Sequence, residues 1–296
     1  MLKGIFPVIP TLFTDSNALD HSAQRAVVRF ALDACAHGIV FPGVASEYNF
    51  LTPDERGELI ALVAEEVDGR VPIVGGASAP TPEEVIVAGQ QAAASGINHL
   101  MIMAPGGLGQ DLEAHQSFFE EISKALPHAE VILQNAPAPI GAGLDANAIA
   151  AIAAGNSAIT YVKEETLPSG PAITTLAGAE IPHLKAVFGG GGARYIIDEL
   201  NRGALGAMPA VELTDLHVAL WNAYFADDHE RARDLYRISL PLLVSQAVYR
   251  MRLTKYVLMK RGVADALSVR APLPELDDHT KRDLDQMILD LEKALQ

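Results

Sequence analysis

The stretch ITYVKEET, residues 159–166, holds the side chains best suited to chemistry. Ile159, Tyr161 and Val162 read as a buried strand, yet Lys163 follows them, with Glu164 and Glu165 directly behind. A lysine is seldom fully buried without a purpose. A buried lysine can attack a ketone and form a Schiff base, provided its amine is neutral. Apolar surroundings favour the neutral amine, while neighbouring carboxylates favour the charged one. Strand alternation separates the two glutamates. Glu164 is expected to point away from Lys163, toward covering helices, and Glu165 to share the face of Lys163 if the strand continues. An inward Glu165 would then be a protonated general acid, or the loop would turn it away. The competing reading is a lysine that emerges at a strand end and pairs with a glutamate in solvent. Of the eight lysines, Lys163 and Lys185 fall in strand-like apolar runs, Lys163 at the end of its run and Lys185 near the start.

Two further stretches could hold an anion. In GVASEYNFLTPDER (43–56), small residues allow close backbone approach and Ser46 brings a hydroxyl, an arrangement that can cradle a carboxylate. In FGGGGARYIIDEL, Gly189 to Gly192 lead into a helix start, where free amides favour anions; a tight turn that needs glycine explains the same run. Metal chemistry finds little support: the nine histidines are scattered without H-x-H or H-E-x-x-H, and DDHE (227–230) reads as a solvated turn. There is no G-x-x-x-x-G-K-[ST] loop, and Cys35 sits in a helical pattern, which argues against a thiol nucleophile.

Eight apolar runs of strand length recur along the chain, at 4–10, 38–43, 71–77, 99–105, 130–137, 158–164, 183–190 and 203–210. Amphipathic stretches lie between them. TPEEVIVAGQQAAASG (81–96) offers Thr81 as cap, Pro82 at the first helical position and Gly96 as stop; LTPDERGELIALVAEEVDG (51–69) repeats the scheme from Thr52. Eight strand–helix units point to a (β/α)8 barrel, an α/β fold, with a doubly wound sheet as the alternative. In a barrel the active site lies at the C-terminal strand ends, which places Lys163 there and Lys185 at the opposite face. The expected division is a catalytic barrel over residues 1–212 and, over 213–296, the last barrel helix with a helical extension packed on it.

The chain is 49% hydrophobic, carries a net charge of −15 and shows no basic cluster, so nucleic acid is not an expected partner. No apolar run reaches the roughly 18 residues of a membrane span. MLKGIFPVIP is short and interrupted by proline, unlike a signal peptide. With Cys35 as the one cysteine, a disulfide within the chain is impossible and a reducing cytoplasm is expected.

These residues carry a resemblance to the dihydrodipicolinate synthase and N-acetylneuraminate lyase superfamily over nearly the whole chain. GIFPVIPTLFTDSNALD resembles its opening, GVASEYNFLTPDER its strand-two loop, VKEE its Schiff-base strand and RGALGAM its eighth strand. The resemblance implies a barrel with a C-terminal helical extension, often a homotetramer, whose lysine, here Lys163, attacks a 2-oxo acid without a cofactor or metal. It implies a substrate-binding set of Val44, Ala45, Ser46, Asn135, Gly189 and Gly206. Departures are equally specific. Gln134 in QNAP stands where the family has a catalytic tyrosine, Val44 and Ala45 stand for the carboxylate-binding Thr/Ser-Thr pair, and the synthase arginine and a second tyrosine fall at Pro139 and near Gly107. GIFPVIPT, Ser46-Glu47, QNAP, KEET and LTKYVLMKRGV (253–263) are similar instead to 2-keto-3-deoxy-L-arabonate dehydratases. The expectation is a Schiff-base hydro-lyase on a 2-keto-3-deoxy sugar acid, with Lys163, Gln134 and Glu165 as catalytic residues. A pyruvate-type aldolase and a non-catalytic sugar-acid-binding relic are the alternatives.

Overall fold

A computed structural model of the chain describes residues 1–295. Its strands are β1 (Gly4–Ile5), β2 (Ile39–Val40), β3 (Ile73–Gly76), β4 (His99–Met103), β5 (Glu130–Asn135), β6 (Ile159–Glu164), β7 (Ala186–Gly189) and β8 (Gly206–Ala207). The helices that follow them are α1 (His21–Asp33), α2 (Pro53–Val67), α3 (Pro82–Ala94), α4 (Leu112–Ala125), α5 (Ala146–Gly155), α6 (Ser169–Ala177), α7 (Ile196–Asn201) and α8 (Thr214–Phe225). Three more complete the chain: α9 (His229–Tyr249), α10 (Met251–Lys260) and α11 (Asp278–Leu295). Each strand falls inside an apolar run expected from the sequence, and the fold class is the (β/α)8 barrel with C-terminal helices.

Local chemistry accounts for the helix starts. Thr52 Oγ1 accepts the Glu55 amide at 3.2 Å while Glu55 Oε2 accepts the Thr52 amide at 2.9 Å, a reciprocal cap for α2. Thr81 caps α3 ahead of Pro82, and Gly96 follows that helix at φ +77°, which a side chain would disfavour.

The chain divides into two compact units: Met1–Lys3 with Pro72–Met208, and Gly4–Val71 with the residues from Pro209 onward. In the first unit β3 to β8 are all parallel and lie side by side in sequence order. A doubly wound sheet would reverse its strand order at a switch point, and these six strands have none. Lys185 precedes β7 and pairs with Glu130 at 2.7 Å, at the N-terminal strand ends as expected.

In the second unit the segments of β1 and β2 meet through a parallel bridge, Val8 to Val40, and Val8 bridges Ala210 in the same sense. Two expectations are corrected in this unit. Cys35 lies beyond the end of α1, exposed and at φ +59°, rather than inside a helix. The tail beyond residue 212 is not helical throughout: residues 263–277 carry no regular element, and Pro272 and Pro274 explain why. Among the described residues no helix is long and apolar enough to cross a membrane.

Candidate active site

Parallel register sets the site. Met103 of β4, Gln134 of β5, Lys163 of β6 and Phe188 of β7 are successive partners across the sheet. Paired residues in a ladder point to the same face, so these four form one row. One residue further on, Asn135, Glu164, Gly189 and Ala207 form a second row on the opposite face. The Glu165 amide donates to the Asn135 carbonyl at 3.0 Å, so the ladder runs one residue past β6 and alternation returns Glu165 to the Lys163 face.

On that face Lys163 Nζ lies 3.0 Å from Glu165 Oε1, and Gln134 Nε2 donates to the same oxygen at 2.5 Å. Lys163 is 4% exposed and Gln134 1%. Tyr161 and Phe188, both buried, lie on the same face, their rings edge to face with centres 6.1 Å apart. Burial pushes the Glu165 carboxyl up, but the charge of Lys163 and then the hydrogen bonds from Gln134 and Lys163 outweigh it and hold the group below the usual carboxylate range. Glu165 is therefore inward, as alternation requires, but ionised rather than the protonated acid that burial alone suggests.

The glycines after β7 shape this pair. A Cβ on Gly190 would lie 2.1 Å from Glu165 Cγ, so only glycine leaves room for the carboxylate arm. Gly191, at φ +57°, turns its amide to within 3.5 Å of Glu165 Oε2. Gly189 serves a different group: a Cβ there would lie 1.9 Å from Glu199 Oε2. The space beside its Cα is filled by Glu199, so what Gly189 can offer a substrate is its backbone. Gly206 opens β8 and is buried.

The Asn135 side chain is engaged in a comparable way. Its side-chain amide is spent on the second row, donating to Leu144 O at 2.8 Å and Glu164 Oε2 at 2.9 Å and accepting from the Leu144 amide at 3.0 Å. Glu164 Oε1 in turn accepts the Thr166 amide at 2.7 Å and the Thr166 hydroxyl at 2.5 Å. Burial raises the Glu164 carboxyl against these hydrogen bonds. Together they clamp the backbone on both sides of Glu165. Pro139, where the synthase arginine falls, lies in an exposed apolar stretch, Pro137–Ile140.

In the second unit, the loop after β2 makes a 3-10 turn over Val44–Ser46. Ser46 is fully buried, and its hydroxyl donates to Ile9 O at 2.5 Å and accepts the Gly43 amide at 2.8 Å. That hydroxyl is a brace for the loop and not a free ligand. The amides of Val44 and Ala45, on half-exposed residues, make no hydrogen bond among the described residues, so the backbone is what this loop can offer a carboxylate. Glu47 follows at φ +55° with its carboxylate buried against Lys255, which is 0% exposed. Lys255 Nζ reaches Glu47 Oε1 at 2.8 Å and Ser268 O at 2.6 Å, 4.6 Å from the centre of the Phe13 ring. Burial draws the Lys255 amine down to about 8 against the upward pull of Glu47.

Sequence reasoning passed over Lys255 and Glu199. Each sits in a helix with buried apolar residues one turn away, Met251 and Leu258 for Lys255 and Ile196 for Glu199, and that helical spacing was the available signal. Among the described residues no group of three or more His, Cys, Asp or Glu side chains is placed to hold a metal ion.

Comparison with known proteins bears on this arrangement. The model of the Dihydrodipicolinate synthetase family matches residues 1–291. An L-2-keto-3-deoxyarabonate dehydratase of Azospirillum brasilense is 30% identical over 286 residues, covering 95% of this chain and 92% of that protein. An uncharacterized DapA-like lyase of Halobacterium salinarum is 29% identical over 295 residues, 98% of this chain and 94% of that protein. The solved dihydrodipicolinate synthase of Rhodopseudomonas palustris superposes with a TM-score of 0.90 at 23% identity, covering 98% of each chain, which shows the shared barrel.

Proposed function

The chain belongs to the dihydrodipicolinate synthetase family, and from that membership we propose that it is a hydro-lyase that forms a Schiff base through Lys163 and dehydrates a 2-keto-3-deoxy sugar acid, such as 2-keto-3-deoxy-L-arabonate. The observation that carries this reading is the Lys163–Glu165–Gln134 cluster, with an amide where the family resemblance places a phenol. The dehydratase relative from Azospirillum brasilense supports the reaction class.

The 3.0 Å contact supplies the first proton transfer, from the Lys163 ammonium to Glu165. The neutral amine attacks C2 of the 2-oxo acid, and loss of water from the carbinolamine gives an iminium, with Glu165 returning its proton to the departing hydroxyl. The iminium acidifies C3, and the ionised Glu165 removes a C3 proton to leave an enamine. The enamine expels the C4 hydroxyl, which takes that proton from Glu165 and departs as water. Tautomerisation and hydrolysis then release the product, 2,5-dioxopentanoate from a pentonate, and regenerate Lys163. Gln134 donates to Glu165 and keeps Oε1 turned to the amine, while its own oxygen can hold a substrate hydroxyl. An amide does not titrate in the useful range, so it cannot relay protons as a phenol does.

The loop amides of Val44 and Ala45 are assigned to a substrate carboxylate, with Ser46 as brace. Asn135, Gly189 and Gly206 complete the proposed substrate-binding set, Asn135 by bracing the strand end through Leu144 and Glu164. The proposal extends to a homotetramer working in the cytoplasm without cofactor or metal, with the chemistry in residues 1–212. The test is borohydride trapping with a panel of 2-keto-3-deoxy sugar acids, followed by peptide mapping. Labelling of Lys163 by none of them would sink the imine. Product analysis separates dehydration from C3–C4 cleavage, because an aldolase releases pyruvate.

A further inference from the structure

Behind the Lys163–Glu165 pair lies a buried acid that the proposed reaction does not use. Glu199 on α7 is 1% exposed. Its Oε1 accepts the Ser169 hydroxyl at 2.8 Å, and its Oε2 is buried with no hydrogen-bond partner. The carboxyl rests on the bare Cα of Gly189, the β7 residue that partners Glu164. An ionised carboxylate would leave an uncompensated charge on Oε2 in that seat, whereas a neutral acid fits it.

We propose that Glu199 is a positioning residue that works as a neutral acid, seated on Gly189 and held by Ser169, and that it keeps the Lys163–Glu165 pair in its working charge state from the far side of the strand. The inference rests on the Schiff-base reading given above.

The groups that face Glu199 define what its ionisation would do. Strand β6 and its extension bring Glu164 and Glu165, α6 brings Ser169, and α7 itself brings Asp198, which is bound by Arg202 at 2.9 Å. Burial raises the Glu199 carboxyl to about 7, the Ser169 hydrogen bond opposes the shift, and the charges of Glu165, Asp198 and Glu164 add to it. Influence between charges is mutual. A negative Glu199 therefore raises the proton affinity of Glu165 and changes the proton balance between Glu165 and its partner Lys163. Gly189 is glycine so that this acid can reach the strand backbone.

The test begins without substrate, by carboxyl-carbon NMR of the glutamate-labelled protein. Two resonances should titrate near pH 7, those of Glu199 and Glu212; one of them should vanish in Glu199→Gln, and the Glu165 resonance, assigned through Glu165→Gln, should show an inflection at the pH of the one that vanishes. Absence of either overturns the proposal. Ser169→Ala removes the hydrogen bond that favours the ionised form, so the inflection should move to higher pH; an inflection that stays put overturns the proposal even where Glu199→Gln fails to fold. A second arm measures pyruvate labelling of Lys163 with cyanoborohydride. The rate in wild type relative to Glu199→Gln should change about fivefold as pH rises through the inflection, the scale of one charge felt across a partly solvated separation. A flat ratio with labelling intact overturns the proposal. No labelling in any variant overturns the Schiff-base reading instead, and the NMR titration still decides the role of Glu199.

Discussion

Two buried lysine–glutamate pairs occur in this chain, and they are built for opposite ends. Lys255 and Glu47 have side chains 0% and 1% exposed, and both are saturated. The ammonium has Glu47, the Ser268 carbonyl and the face of Phe13, while the carboxylate also accepts the amides of Arg270 and Ala271, each at 2.8 Å. Lys163 and Glu165 are 5% and 20% exposed and carry far less. Among the described residues Glu165 is the hydrogen-bonding partner of the Lys163 ammonium, and Glu165 Oε2 has the Gly191 amide at 3.5 Å. An ammonium has three donors, so two remain unspent at Lys163. Burial alone therefore does not mark a nucleophile; burial with unused bonding capacity does. The closed pair holds a loop to the segment around residues 268–271, and the open pair can take on a carbonyl.

Breaking the open pair at its lysine should have the largest effect on reaction. Lys163→Ala is expected to abolish turnover while the melting temperature holds or rises, since a desolvated amine has been removed. Turnover within tenfold of wild type would falsify the nucleophile assignment. Glu165→Gln keeps the shape and removes the proton carrier, and should cost about 100- to 10,000-fold in kcat. A near-normal rate would hand the proton transfers to water. Breaking the closed pair should show in stability: Lys255→Met leaves Glu47 buried and unpaired, a loss of about 3–5 kcal/mol in urea unfolding. Adding Glu47→Gln should recover part of that loss, and an undiminished loss in the double variant would mean that the lysine acts through packing. Gln134→Ala removes a positioning contact and should lower kcat by about 10- to 100-fold.

The smallest effects concern two buried groups of the second unit: His217, whose ring nitrogens have no hydrogen-bond partner, and Glu212, whose Oε2 has none. Burial raises Glu212 to about 7 and lowers His217 to about 4. Folded Glu212 keeps a proton that the unfolded chain sheds near pH 4.5, so its stabilising contribution is full below that pH and is lost as pH rises through 7. Folded His217 refuses a proton that the unfolded chain takes up below 6.5. Its contribution is present above that pH and is lost as pH falls through 4. Glu212→Gln should flatten the alkaline decline in unfolding free energy, and His217→Leu the acid decline, each by about 1–3 kcal/mol. Parallel wild-type and variant curves would show that neither group titrates with unfolding.

What could be read in advance was local. The strands follow from apolar runs, the α2 and α3 starts from Thr52 and Thr81, and the facing of Lys163, Glu164 and Glu165 from alternation that the Glu165–Asn135 amide contact extends by one residue. What could not be read depends on partners distant in sequence. The Ser46 hydroxyl looks free until the Ile9 carbonyl, 37 residues away, accepts its hydrogen bond. Asn135 looks like a ligand until Leu144 and Glu164 occupy its amide. Alternation puts Glu165 on the Lys163 face, but whether it is protonated there or turned away depends on the 3.0 Å contact with the ammonium and on the Gln134 amide, which lies 31 residues away. Lys255 and Glu199 were missed because a helix conceals which of its polar residues the tertiary packing will enclose.

The glycine run at 189–192 sets limits on how this chain can be diversified. Each of the four positions favours glycine, but for two unrelated reasons. At Gly189 and Gly190 the obstacle is a carboxyl arm, that of Glu199 on one face and of Glu165 on the other. At Gly191 and Gly192 it is the backbone, at φ +57° and +67°. A library that randomises the run as a block would thus return glycine everywhere and suggest a single rule. Randomised together with residue 199, position 189 alone should open to alanine or serine when 199 shrinks. Positions 191 and 192 have no such partner to trade with. The vacant space left by one altered residue would become a new alphabet at the other, a coupled pair of sites hidden inside what reads as a simple repeat.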